Sequence, residues 1–180
     1  GFEAHVKTLR DLFTRVRGAC IKIKPSKTRL GFFKVEFLGH EVSKGQVKPT
    51  EANIEKILKI QPAKSKTDVR AMCGAINFLR KFIPDCAGIV KPITELTAKN
   101  MEDRVQWGPK QQNALDKVKE MLTSSPVLKL FNIQNPHVIR TDASIHSIGG
   151  VLLEDIGGKL YPVMYFSRKL LDRETRYSIP

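Results

Sequence analysis

At 180 residues with a hydrophobic fraction of 41%, the chain can bury one good core or two small ones, which excludes a disordered protein. No apolar run reaches the roughly 18 residues that a membrane span needs. The formal net charge of +13 is uneven, with 20 Lys and Arg against 9 Asp and Glu in residues 1–100 and 11 against 9 in residues 101–180. Such an excess is the electrostatic footprint expected for a polyanion, most simply nucleic acid, unless the lysines only solvate helix faces. Cys20, Cys73 and Cys86 form no Cys-x-x-Cys pair. This argues against a disulfide framework and a zinc site, and buried thiols in a reducing compartment are expected. No signal peptide is visible and the first residue is Gly1, so the chain reads as an internal piece of something longer.

Taken in order, Phe2, Val6, Leu9, Phe13 and Val16 recur at steps of three and four, one face of a helix that Gly18 stops. Cys20-Ile21-Lys22-Ile23-Lys24 alternates apolar with basic, which predicts a half-buried strand, and Pro25-Ser26-Lys27-Thr28 predicts a turn. Residues 32–42 hold two strand-like runs broken at Gly39, a hairpin or bulged ribbon, followed by a turn over residues 43–46.

From Thr50 the pattern changes to short helices. Ile54, Ile57 and Leu58 mark the first, ending at Gln61-Pro62. Ser65-Lys66-Thr67-Asp68 has capping-box spacing with Asp where Glu or Gln is usual, and behind it Val69, Met72, Cys73, Ile76, Leu79, Phe82 and Ile83 make an apolar face. Pro84 ends that helix or opens the next, which carries Ile89, Val90, Ile93 and Leu96. Arg70, Arg80 and Lys81 lie off the apolar stripe, where they either meet phosphates or form a solvated face. Residues 99–108 are polar and read as a linker closed by Trp107. Pro109 suits the first turn of a helix running to about Thr123, and Ser124-Ser125-Pro126 ends it. Val127-Leu128 leads into a loop with Asn132, Asn135 and Pro136.

Residues 137–153 predict a strand, a short turn and an antiparallel return, with Asp142 near the end of the first strand. A carboxylate there, beside the small Ala143 and Ser144, could hold a hard cation such as Mg²⁺; equally, Asp is an ordinary turn former and would only cap. Gly157-Gly158 reads as a hairpin turn into a third antiparallel strand over residues 160–167.

Several of these stretches together resemble the reverse transcriptase of gypsy-type LTR retrotransposons. They are Phe37-Leu38-Gly39-His40-Glu41-Val42-Ser43, Phe78-Leu79-Arg80-Lys81-Phe82-Ile83-Pro84, Lys91-Pro92-Ile93-Thr94-Glu95-Leu96, Thr141-Asp142-Ala143-Ser144, Ile148-Gly149-Gly150-Val151-Leu152 and Ser167-Arg168-Lys169-Leu170. The resemblance implies an α+β fragment of a Pol polyprotein: the end of a polymerase palm with its β-hairpin (1–48), thumb-like helices (49–98), a connecting segment (99–125) and the first three strands of an incomplete RNase H-like domain (126–180). It implies that Phe37, Leu38 and Gly39 hold the primer terminus, that Asp142 is a Mg²⁺ ligand, and that Lys27 resembles the lysine near the departing pyrophosphate. The implied partners are template–primer or an RNA–DNA hybrid and the missing remainder of the Pol polyprotein, in the cytoplasm, in a virus-like particle or in the nucleus.

Departures accompany the matches. The family's two activities are RNA-directed DNA synthesis and cleavage of the RNA–DNA hybrid; the paired aspartates of a Tyr-x-Asp-Asp segment and the later RNase H acids are absent, so this chain alone is expected to catalyse neither. The helix expected to cover the sheet is absent too, which should leave one sheet face exposed. Met72-Cys73-Gly74-Ala75 replaces the usual Phe-Leu-Gly-Leu, and Glu154 stands where Gln is usual.

Overall fold

Helix α1 (Phe2–Gly18) forms where the apolar period places it, with Arg15 and Arg17 in its last turn opposing the partial negative charge of the helix end. It opens the computed structural model, which describes residues 1–98, 101–124, 127–171 and 173–177. The chain divides into two compact units, Gly1–Phe33 and Lys34–Pro180. In the first, α1 buries none of its residues, and Phe2 is 82% exposed. The strand expected over residues 20–24 does not form: these residues are irregular and exposed, and Cys20 takes a positive φ of 55°. Alternation alone cannot make a strand. Its backbone groups need a partner, and the unit contains no other strand. Cys20 is accordingly exposed, against the expectation of a buried thiol, while Cys73 is half-buried and Cys86 buried.

The second unit begins with a four-stranded antiparallel sheet, β1 (Lys34–Phe37), β2 (His40–Ser43), β3 (Gln46–Pro49) and β4 (Leu128–Lys129), in that order. Two-residue turns join the first three strands, at Leu38-Gly39 (φ 48° and 73°) and Lys44-Gly45 (φ 45° and 71°). Positive φ at both central residues matches the twist of the flanking strands. Strands β3 and β4 were not evident in the sequence, being short, with β3 ending in proline. Four helices pack beside this sheet: α2 (Glu51–Leu58), α3 (Lys66–Phe78), α4 (Cys86–Thr94) and α5 (Pro109–Thr123). Their apolar faces and the sheet share one core, in which Val69, Ile76, Phe82, Ile93, Leu115 and Leu122 are almost fully buried with Val47 and Leu128.

The capping box of α3 is complete. Ser65 Oγ accepts from Asp68 N at 3.2 Å, and Asp68 Oδ2 accepts from Ser65 N at 3.0 Å and from Lys64 N at 3.1 Å. The Lys64 N–H and the Ser65 groups hold the Asp68 carboxyl below the usual carboxylate range. The shorter Asp thus does the work of Glu. Residues 101–108 are not a free linker. Lys66 N donates to Asp103 O and Val105 N to Lys64 O, both at 3.1 Å, and Lys66 Nζ reaches Ala98 O and Met101 O at 3.0 and 2.6 Å. Polarity there reflects backbone groups satisfied around the start of α3. The expected helix stop at Ser125-Pro126 lies outside the described residues.

A second antiparallel sheet follows, β5 (His137–Ala143), β6 (Ser147–Ile156) and β7 (Lys159–Lys169), as expected, with the Gly157-Gly158 turn at φ 63° and 83°. One face buries Ser147, Leu153, Val163 and Ser167 toward α4. The register sets Ile139 beside Leu152 and Leu152 beside Met164 on the other face, where Ile139 is 64% exposed. That face is apolar and open. No helix among the described residues is long and apolar enough to cross a membrane.

Candidate functional site

Two regions of the second unit gather the residues singled out from sequence. The first is the β1–β2 tip. Phe37, at the end of the edge strand β1, and Leu38, in the turn, are 62% and 75% exposed. Behind them Gly39 is pinned: its carbonyl accepts from Asn53 Nδ2 at 2.8 Å, and a Cβ on it would lie 2.8 Å from Phe78 Cζ. His40 stacks on Phe78, ring centroids 5.1 Å apart, and meets Phe82 edge-on at 5.5 Å. Glu41, on the next position, is bridged by Lys34 Nζ at 2.6 Å and Lys48 Nζ at 3.0 Å. These lysines, Lys34 first, hold its carboxyl below the usual range.

The basic candidates divide. Arg70 is exposed on α3. Lys81 is half-buried, its ammonium 5.1 Å from the Phe82 centroid, and desolvation lowers its proton affinity. Arg80 is engaged in structure: it donates to Asn77 Oδ1 at 3.2 Å and to the Ser167 carbonyl, tying the end of α3 to β7. Lys27 lies exposed in a single 3₁₀ turn, Pro25–Lys27, of the first unit. Asn53, His40 and Phe78 were missed as site residues. The Gly39-His40 step after an exposed apolar pair was the signal available, but nothing local shows what packs behind it.

The second region is a cleft of about 310 Å³ lined by Asp142, Asp85, Arg140, Thr141, Ser144 and Ser147, among others. Asp142 sits on β5 opposite Gly149, whose missing side chain leaves room above the sheet. Ser144 holds the turn after β5, with its Oγ accepting from His146 N at 3.2 Å and Ser147 N at 3.0 Å. The turn-capping role expected of an Asp at position 142 therefore belongs to Ser144. Among the described residues nothing hydrogen-bonds or ion-pairs with the Asp142 carboxylate. Asp85, which sequence reasoning passed over, adds a second carboxylate to this cleft as the N-cap of α4 at φ 43°. Its Oδ1 accepts from Gly88 N and Ser147 Oγ, both at 3.2 Å. An Asp between a proline and an apolar helical stripe is a recognisable cap, and that was its signal. Among the described residues no three His, Cys, Asp or Glu side chains come together to hold a metal ion.

Residues 107–180 match the RNase H-like domain found in reverse transcriptase. The chain is 32% identical over 176 residues to the Tf2-3 and Tf2-4 transposon polyproteins of Schizosaccharomyces pombe, a match covering 97% of this chain and 13% of each polyprotein. The fold is shared with a foamy viral protease-reverse transcriptase in complex with double-stranded DNA (TM-score 0.81, 21% identity, 99% of this chain and 31% of that one). A second such structure, in complex with an RNA/DNA hybrid, gives a TM-score of 0.79 at 22% identity, covering 99% of this chain and 24% of that one. Residues 107–180 are thus similar to the RNase H-like domain found in reverse transcriptase, and almost the whole chain is similar to a stretch amounting to 13% of the length of the Tf2 transposon polyproteins.

Proposed function

We propose that this chain grips template–primer or an RNA–DNA hybrid within a retrotransposon polymerase, with the Phe37-Leu38 tip against the nucleic acid. In this reading residues 1–48 are the end of the palm, 49–98 thumb-like helices, 99–125 the connection and 126–180 the start of the RNase H-like domain. The observation that carries it is the tip itself: two large apolar side chains held outward on a rigid turn, with Lys81 close behind. Water penalises such exposure, and a sugar or base face relieves it. Exposed Arg70 supplies phosphate attraction that carries no sequence information, Arg80 does so with the donors left over from β7, and Lys27 would meet the departing pyrophosphate.

For the proposed Mg²⁺, Asp142 is a suitable single ligand: a carboxylate lining the cleft together with Asp85 and Ser144. The described residues alone do not complete an ion site, since the Asp85 carboxylate already receives two donors, so no chemical step is assigned to this chain through a metal. Bound ions would supply nucleophile activation and charge neutralisation in the complete enzyme, with further carboxylates. Localisation to the cytoplasm, a virus-like particle or the nucleus follows from the same reading.

The test is binding of a labelled RNA–DNA hybrid across a salt series with Mg²⁺ present, cleavage being followed on a gel. Affinity is expected to fall steeply with salt, with no cleavage, and Phe37→Ala with Leu38→Ala to weaken binding about ten-fold. Salt-independent binding, or full affinity in the double variant, would overturn the reading. Cleavage that is lost in Asp142→Asn would mean that the missing acids are supplied from elsewhere and would overturn the expected inactivity.

A further inference from the structure

The residue immediately behind the tip has a role of its own. We propose that His40 is a positioning residue: with Asn53 it locks the Phe37-Leu38 tip onto α2 and α3, and protonation of its ring releases the tip and weakens nucleic-acid binding. The binding half of this inference rests on the function proposed above; the locking half does not.

The lock has three parts. Asn53 Nδ2, on α2, holds the Gly39 carbonyl at 2.8 Å. The His40 ring lies nearly parallel to Phe78, at 19°, and its other contact is the edge of Phe82, a residue only 1% exposed. Gly39 leaves no slack between them, because its φ of 73° suits glycine and any Cβ there would press on Phe78 and on Asn53. The tip and the helices are thus joined through one imidazole, one amide and one glycine.

The imidazole is the part that can change. Its Nδ1 is inaccessible to water and has no hydrogen-bond partner. A second ring proton would therefore be a buried donor without an acceptor, beside apolar rings. The charged group that acts on it is Lys81, from the turn after α3, and it repels a second cation. The register neighbours Phe37 and Pro49 are uncharged, as is Asn53 on α2. Glu41 alternates to the opposite face of β2 and is held by Lys34 and Lys48, so it offers no compensation. Burial first, and Lys81 second, push the imidazole below its ordinary value of 6.5. A folded-state value below the unfolded one means that the packing is intact above pH 6.5 and is lost progressively as pH falls below it.

The direction is diagnostic. Protonation of histidines elsewhere adds positive charge and strengthens binding to a polyanion, so weaker binding at low pH needs a specific cause. The experiment uses the full 180-residue chain and a labelled RNA–DNA hybrid at constant ionic strength between pH 7.5 and 5.5. Amide hydrogen exchange at residues 37–40 is measured in parallel. Wild-type affinity is expected to fall roughly three- to ten-fold over this range, with exchange at the tip accelerating. His40→Phe, which keeps a stacked ring without a titrating nitrogen, should retain affinity and slow exchange at pH 5.5. Asn53→Ala should loosen the tip at pH 7.5 already, and it serves if His40→Phe does not fold. Identical pH profiles of exchange in wild type and His40→Phe would overturn the positioning role. Preserved exchange differences without any change in binding would leave the lock standing and remove the tip from the nucleic-acid contact.

Discussion

At the scale of single residues, the paired glycines of β6 do different jobs. A Cβ on Gly150 would collide with the Phe166 ring and approach Arg140 O to 2.7 Å, whereas one on Gly149 would find only ordinary contact with Phe166 O at 3.5 Å. Gly150→Ala should therefore cost about 2–4 kcal/mol in denaturant unfolding, since a backbone oxygen cannot step aside. Gly149→Ala should shift stability by less than about 1 kcal/mol, and equal effects would contradict this account. The thiols separate in the same way. Burial, with smaller contributions from its neighbours, pushes the Cys86 thiol up to about 11, and it lies inside the core, while Cys20 is open to solvent. Because the thiolate reacts, a disulfide reagent at pH 8 should label Cys20 at once and Cys86 only on unfolding. Rapid labelling of Cys86 in the native chain would show that α4 opens locally.

At the scale of elements, legibility tracked how local the cause was. Helices α3 and α5 could be read because their periodicity and caps, Ser65 with Asp68 and Pro109 at the first position, are written within a few residues. The β5–β7 meander could be read because Gly157-Gly158 fixes its turn chemistry. The apparent strand over residues 20–24 misled because alternation reports a preference and not a partner. The β3–β4 pairing escaped notice because its partners lie about eighty residues apart. Of the site, Asp142 and the Phe37-Leu38 tip were legible as types of residue in a pattern; the Asn53–Gly39 hydrogen bond and the His40–Phe78 stack exist only after folding. The α3 cap gives a direct check: Ser65→Ala should cost about 1 kcal/mol, and Asp68→Ala in the same chain should add less than its separate effect, because each side chain serves the other's backbone. Strict additivity in a double-mutant cycle would mean the two hydrogen bonds are independent.

At the scale of the whole molecule, the unit Lys34–Pro180 is knit together by contacts that ignore the order of the sequence. Arg80 reaches Ser167, Ala87 N donates to Ser167 Oγ at 2.9 Å, and Tyr165 leans on the helical core. The β5–β7 sheet and the helices before it therefore share a foundation. The shortest strand carries the largest consequence of this design. Strand β4 is two residues long, yet Val47 pairs with Leu128, Gln46 with Lys129, and Leu130 N reaches back to Gly45 O at 2.8 Å. During synthesis α2 to α5 all leave the ribosome before that strand does, and β3 waits with an unpaired edge that can recruit another chain. A protein ending at residue 124 should consequently form soluble aggregates on size exclusion, whereas one ending at residue 131 should elute at its own size. Equal behaviour of the two would mean that the nascent edge finds some other shelter.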